Sequence, residues 1–206
     1  MRILDSAKYS DAMKRIALAL ALLASPALAQ QQQYVLRCNG APFQSNTSHE
    51  RLVKFFGAKN VSVTEDKKTV LFANDPTRRI EIIWLDDGGK TCPINILVSG
   101  EKNRWIGPFG IKTGMTIQQI EQLNGKPFTV SSYGDNIEVS ANFKDSRLHR
   151  VTPRCAVSAE FAFAGSISPE FRKRLTSDDR VPSKDPELLI LKPRLKGYSI
   201  SYPPEC

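Results

Sequence analysis

The chain has 206 residues, with 29 Lys and Arg against 21 Asp and Glu and a formal charge of +8. That length supports one domain with a proper core, or two small ones. The basic excess forms no helical stripe, which argues against nucleic acid as a partner. It suits a solvated surface and leaves anionic lipid or cell-wall polymer as a partner class.

The first feature in chain order is an export signal. Lys14 and Arg15 precede the apolar run Ile16–Ala24, and Ala27-Leu28-Ala29 supplies the small-x-small pattern before Gln30. A run of this length is too short to span a bilayer, which takes roughly 20 residues. Residues 1–29 are therefore expected to be a cleaved signal peptide, with 1–12 an N-terminal extension if translation starts at Met1 rather than Met13. The mature chain from Gln30 would have 177 residues (206 − 29), no transmembrane segment and a periplasmic or secreted location.

The mature chain reads as short helices among alternating strands. Tyr34–Arg37 predicts a strand, and Asn39-Gly40-Ala41-Pro42 a turn. Thr47-Ser48-His49-Glu50 fits a capping box before an apolar face of Leu52, Val53, Phe55 and Phe56, with Gly57 as the stop. Val61 and Val63 begin a strand that returns over Thr69 to Phe72. The stretch RRIEIIWL at 78–85 is the strongest strand, with Ile80, Ile82 and Trp84 in phase for a core. Asp86-Asp87-Gly88-Gly89 forms the hairpin to Ile94–Val98. A second capping box runs from Thr116 to Gln119, with Met115 and Ile120 as a staple, Ile117, Ile120 and Leu123 inside, and Gly125 as the stop. The strands FTV and NIEVSANF follow it. Ala156 to Ala164 and Tyr198 to Tyr202 are the last strands, able to pair antiparallel, with a helical piece at Phe171–Leu175 and a loop at Asp178–Pro186.

Ser48 to Gly57 and Thr116 to Gly125 are cap-to-stop segments of equal length, offset by 68 residues, and strands follow each. This predicts an α+β fold: an antiparallel sheet with short helix units on one face, in two tandem repeats over 30–104 and 105–206.

GIKTGMTIQQIEQLNGKPF, at 110–128, resembles a motif of the beta-lactamase-inhibitor-protein-like and small outer-membrane assembly lipoprotein families. Gly114, Met115, Thr116, Ile120, Leu123, Gly125 and Pro127 carry the match, and LVKFFGAKNV resembles a divergent first copy. CNGAPF at 38–43, FFGAKNV at 55–61 and LFANDPTRRIEIIW at 71–84 are similar to a family of exported bacterial proteins, to which the resemblance assigns no activity. The resemblance implies inhibitor-protein-like repeats. It carries over no binding residue, because the matched positions are turns, caps and core.

The chemistry-bearing residues are few. Cys38, Cys92, Cys155 and Cys206 are expected to form two disulfides in an oxidising compartment. Of three connectivities, Cys38–Cys92 with Cys155–Cys206 closes each half on itself. Gly89-Lys90-Thr91 ends like a P-loop, but the position five before Gly89 is Trp84. His49 and His149 lack metal-ligand spacing, there is no CxxC, and no cofactor or metal is implied. No catalytic residue is assigned. Arg79, Arg104, Trp105 and Tyr133 are the candidate binding residues, being of the kinds that dominate protein interfaces. The expected function is a non-catalytic exported protein that binds another exported or envelope protein or an envelope component. The alternatives are a small periplasmic hydrolase and an envelope-stability module without a ligand.

Overall fold

The segments with period-two alternation assemble into one antiparallel sheet. The computed structural model describes residues 34–132, 138–177 and 180–204. The strands are β1 (Val61–Val63), β2 (Thr69–Leu71), β3 (Ile80–Asp86), β4 (Thr91–Ser99), β5 (Thr129–Ser131), β6 (Glu138–Asn142), β7 (Ala156–Ala162), β8 (Val181–Pro182) and β9 (Arg194–Ser201). Their order is β1-β2-β3-β4-β9-β7-β6-β5-β8. The last strand in the chain is thus central: β9 pairs with β4 from the first half and with β7 from the second. Leu36–Cys206 forms one compact unit. The expected signal peptide, Tyr133 and Cys206 lie outside the described residues.

One face of the sheet is the core wall. Across it run the rungs Ile82–Ile96–Ile200–Val157 and Val98–Tyr198–Ala159, all buried. Each fully buried aliphatic side chain here contributes roughly 1.5–3 kcal/mol. Two ladder irregularities interrupt the register. At the first, Trp84 faces Pro93, where a bulge tolerates the missing proline N–H. At the second, Lys196 is the extra residue between Leu195 and Gly197.

Helix α1 (His49–Phe56) starts at Ser48, whose side chain accepts the Arg51 N–H. The expected capping box one residue earlier therefore does not form: Thr47 is buried, and Arg51 rather than Glu50 holds the N3 position. Helix α2 (Ile117–Asn124) has the full capping box between Thr116 and Gln119, and the left-handed Gly125 ends it. Helices α3 (Pro169–Thr176) and α4 (Pro186–Leu191) follow, capped by Ser168 and Asp185. The 178–186 segment, read as loop from the sequence, includes β8 and leads into α4. Residues 36–37 are not in the expected strand; the Leu36 N–H instead donates to the Ile106 carbonyl at 2.8 Å.

The helix starts sit alike on the sheet. Ser48 bridges Thr91, the first residue of β4, and Thr116 bridges Arg194, the first residue of β9. The Cys92 N–H donates to the Thr47 carbonyl, and the Leu195 N–H donates to the Met115 carbonyl, 68 positions on.

The disulfide differs from the favoured expectation. Cys38 is bonded to Cys155, with Cα atoms 5.9 Å apart, so neither half is closed on itself. The bond ties the start of the compact unit to the start of β7. Cys92 is also disulfide-bonded.

A candidate binding surface on the open face of the sheet

The face opposite the core carries the alternate residues of the same strands. Its rungs are Glu81–Leu97–Ser199–Ser158, Ile83–Asn95–Ser201–Ala156 and Ser99–Gly197–Glu160–Ser140. All of them except Gly197 are partly or fully exposed. Small and polar side chains dominate, so the surface is low, and Leu97 and Ile83 are its apolar points.

Gly197 makes the lowest spot. A Cβ there would lie 2.9 Å from the Val98 carbonyl oxygen and 3.2 Å from the Ser99 Cβ. The result is a shallow depression of about 70 Å³ lined by Leu97, Ser99, Ser158, Glu160 and Ser199. Beneath it the Tyr198 ring points into the core against Gly107 and Ile111. Its hydroxyl has no hydrogen-bond partner among the described residues, and burial pushes the phenol pKa up. A larger hollow of about 320 Å³ lies at the start of β9, where Glu101, Gly114, Phe163, Arg194 and Lys196 meet.

Three cations around this face are paired, while Glu160 on it is in no ion pair among the described residues. Arg79 donates to Glu81 at 2.8 Å, Lys68 is 3.9 Å from Glu81, and Lys196 contacts Glu138. Asn95 accepts from the Ser201 hydroxyl at 2.7 Å. These pairs hold side chains in place more than they stabilise the fold, since exposed ion pairs contribute about 0–1 kcal/mol.

Of the four residues singled out from the sequence, Tyr133 lies outside the described residues, and the other three do not form one exposed patch. Trp105 is 2% exposed: its ring meets Phe43 edge-on at 5.5 Å, and its indole N–H donates to the Arg78 carbonyl at 2.8 Å. It is a core residue, because the polar run around it forms a loop that folds back over the sheet. Arg79 is committed to Glu81 and to the Ala73 carbonyl. Arg104 is exposed, and its N–H donates to the Thr77 carbonyl. Trp84 is in the core as its phase predicts, with its indole N–H on Thr69 at 2.9 Å.

Thr69 links two elements. It accepts from Trp84 and shares a second hydrogen bond with Nδ1 of His49 at 2.9 Å. Burial of the imidazole, followed by the nearby Lys90, lowers its pKa. This pins α1 to β2. Asp75 organises the next turn: it accepts from the Thr77 hydroxyl and N–H and from the Arg78 guanidinium, and these bonds hold its carboxyl at about 2.

Among the described residues no three His, Cys, Asp or Glu side chains converge as a metal site, and no helix is long and apolar enough to cross a membrane. The open-face residues were missed as a site because each strand's polar alternates read only as solvent-facing. The alternation in VSAEFA and RLKGYSIS was visible; that the two strands lie side by side was not. Compared with protein families, with curated proteins and with solved structures, the chain matches none.

Proposed function

We propose that this is an exported, non-catalytic binding protein that engages another protein, or another envelope component, through the open face of its sheet. The observation that carries the reading is this face itself. Five neighbouring strands, β3, β4, β9, β7 and β6, present a low surface of small polar groups with Leu97 and Ile83 as apolar anchors. Such a face leaves backbone and short side chains accessible to a partner's protruding residues, and the paired charges preset its geometry. The disulfide is of the kind that persists outside the cytoplasm, in accord with a signal peptide cleaved before Gln30 and a periplasmic or secreted location.

The finer architecture belongs to the same proposal. The chain is two tandem helix-and-strand copies of the inhibitor-protein-like type, related by the 68-residue offset of the caps, the stops and the carbonyls that bond to β4 and β9, while the strand residues they meet are 103 apart (195 − 92). The strand orders β1-β2-β3-β4 and β5-β6-β7-β9 mirror each other about the β4–β9 seam, with β8 an extra edge strand beyond β5, so the depression over Gly197 lies where the copies join.

The test is capture from periplasmic extract by the tagged chain, with Leu97→Asp as control. The reading expects a partner that the wild type retains at moderate salt and that Leu97→Asp loses by at least tenfold. Failure to recover any partner across a range of salt, or equal capture by both forms, removes it.

A further inference from the structure

A second surface lies on the covered side of the molecule, where two loops meet. The first, at 105–111, is held tightly to the sheet: a Cβ on Gly107 would come within 2.6 Å of the Tyr198 ring. The loop nevertheless exposes two large apolar side chains, Ile106 at 39% and Phe109 at 42%. Phe109 has φ 58° and ψ 12°, left-handed values that are a genuine outlier for a bulky residue. Strain of this sort costs on the order of what one good contact gains and points to a use for the outward aromatic.

The second loop, at 143–155, is as firmly built. Leu148 is fully buried, and its carbonyl accepts the Val157 N–H. Asn124, itself buried, accepts from the Ser146 hydroxyl and the Leu148 N–H, and Cys155 closes the loop onto Cys38. The Arg147 guanidinium lies 4.4 Å over the Phe109 ring, and the aliphatic stem of the same side chain passes beside Gly125. The Cys38–Cys155 bond brings Arg37 to the end of the 143–155 loop, which carries Lys144, Arg147, Arg150 and Arg154, and the approach of the Arg147 side chain to Gly125 sets Lys126 beside the same loop.

These six cations are all exposed, and Asp145 is the one exposed acid within the 143–155 loop. None of the six is in an ion pair among the described residues, a state they share with cations such as Lys54, Lys59, Lys112 and Lys192; what sets them apart is their place beside Ile106 and Phe109. A rigid cluster of unneutralised cations beside outward Ile and Phe side chains matches the two chemistries of an anionic bilayer surface: lipid phosphates outside and an acyl boundary just beneath. A soluble polyanion would use the cations and leave Ile106 and Phe109 in water.

We propose that this corner docks on an anionic phospholipid surface, with Ile106 and Phe109 entering the headgroup boundary and the six cations engaging the phosphates. It is separate from the open sheet face, so it stands whether or not that face binds a partner. Docking here would leave the open face directed away from the membrane.

The experiment is co-sedimentation of the oxidised, exported chain with vesicles of phosphatidylcholine alone or with 40% phosphatidylglycerol. Binding is expected to the anionic vesicles only and to weaken as salt rises. Each cation near the surface accounts for about a fivefold change in partition, so Arg147→Ala, Arg150→Ala and Arg154→Ala together should lose roughly 100-fold. Phe109→Ser should lose roughly tenfold. Arg150→Lys with Arg154→Lys should bind as the wild type does, and unchanged near-UV circular dichroism guards against misfolding. Equal binding to neutral vesicles, no binding to anionic ones at low salt, or a triple variant that still binds overturns the proposal. So does an unchanged Phe109→Ser variant with equal affinity for soluble polyphosphate, which would make the corner a polyanion site.

Discussion

The open face of the sheet and the corner between the 105–111 and 143–155 loops use charge in opposite ways. On the open face, Arg79 and Lys196 are each held against a glutamate, and the surface between them is low and mostly uncharged. At the corner no arginine is in an ion pair among the described residues, and an aromatic stands beside Arg147. Paired charges fix shape and contribute little long-range field; unpaired ones create a field and accept whatever anion arrives. The difference teaches that one molecule carries a surface suited to shape recognition and another suited to electrostatic attraction. Net charge alone averages over the two.

The largest test of that contrast is the disulfide. Converting Cys38 and Cys155 together to Ser opens a loop of 117 residues and should cost about 4–5 kcal/mol in the chain-entropy account. Hydrogen exchange should then rise first at 143–155, with β4 and β9 affected least. Uniform loosening would show that the corner has no separate dependence on the bond. Next comes Gly197→Ala, whose new Cβ would press on the Val98 carbonyl, a backbone atom that cannot step aside cheaply. A loss of about 1–3 kcal/mol in urea unfolding is expected, because overpacking forces a shift of the seam. An unaltered midpoint would mean that the β4–β9 seam has slack.

Smaller still is the stability effect of Leu97→Asp, the same change that should abolish partner capture. The position is half-exposed, so the unfolding free energy should move by about 1 kcal/mol or less. A larger drop would mark Leu97 as structural and weaken the contrast between the faces. The smallest effect is a pH dependence away from both surfaces. The folded His49 has a pKa below its ordinary 6.5, so the unfolded chain binds more protons in between. Its share of stability is therefore complete above about 6.5 and is lost as pH falls below that value. Comparing urea midpoints at pH 7.5 and 5.5 in wild type and His49→Gln should show a shallower slope in the variant.

Local structure was largely legible in the residues. The alternation of Ile80, Ile82 and Trp84, the Thr116 capping box and the glycine stops at Gly57 and Gly125 all appear where short-range rules put them, because each depends on neighbours a few positions away. The Ser48 cap slipped by one residue, since Thr47 is drawn into the core and cannot serve. Trp105 shows the limit of local reading. Its neighbours are polar, yet Phe43 and the Arg78 carbonyl, remote in sequence, bury it.

The sequence by itself determined the antiparallel α+β character, the cap-to-stop segments and the even set of cysteines. Those follow from periodicity, capping chemistry and composition. Tertiary structure decided that β9 lies between β4 and β7, that Cys38 meets Cys155, and that the polar alternates of five strands form one face. It also decided that Arg147 stacks on Phe109. Each of these joins residues far apart along the chain, and nothing in a local pattern specifies which distant strand or loop will be the neighbour; the burial of a shared core does.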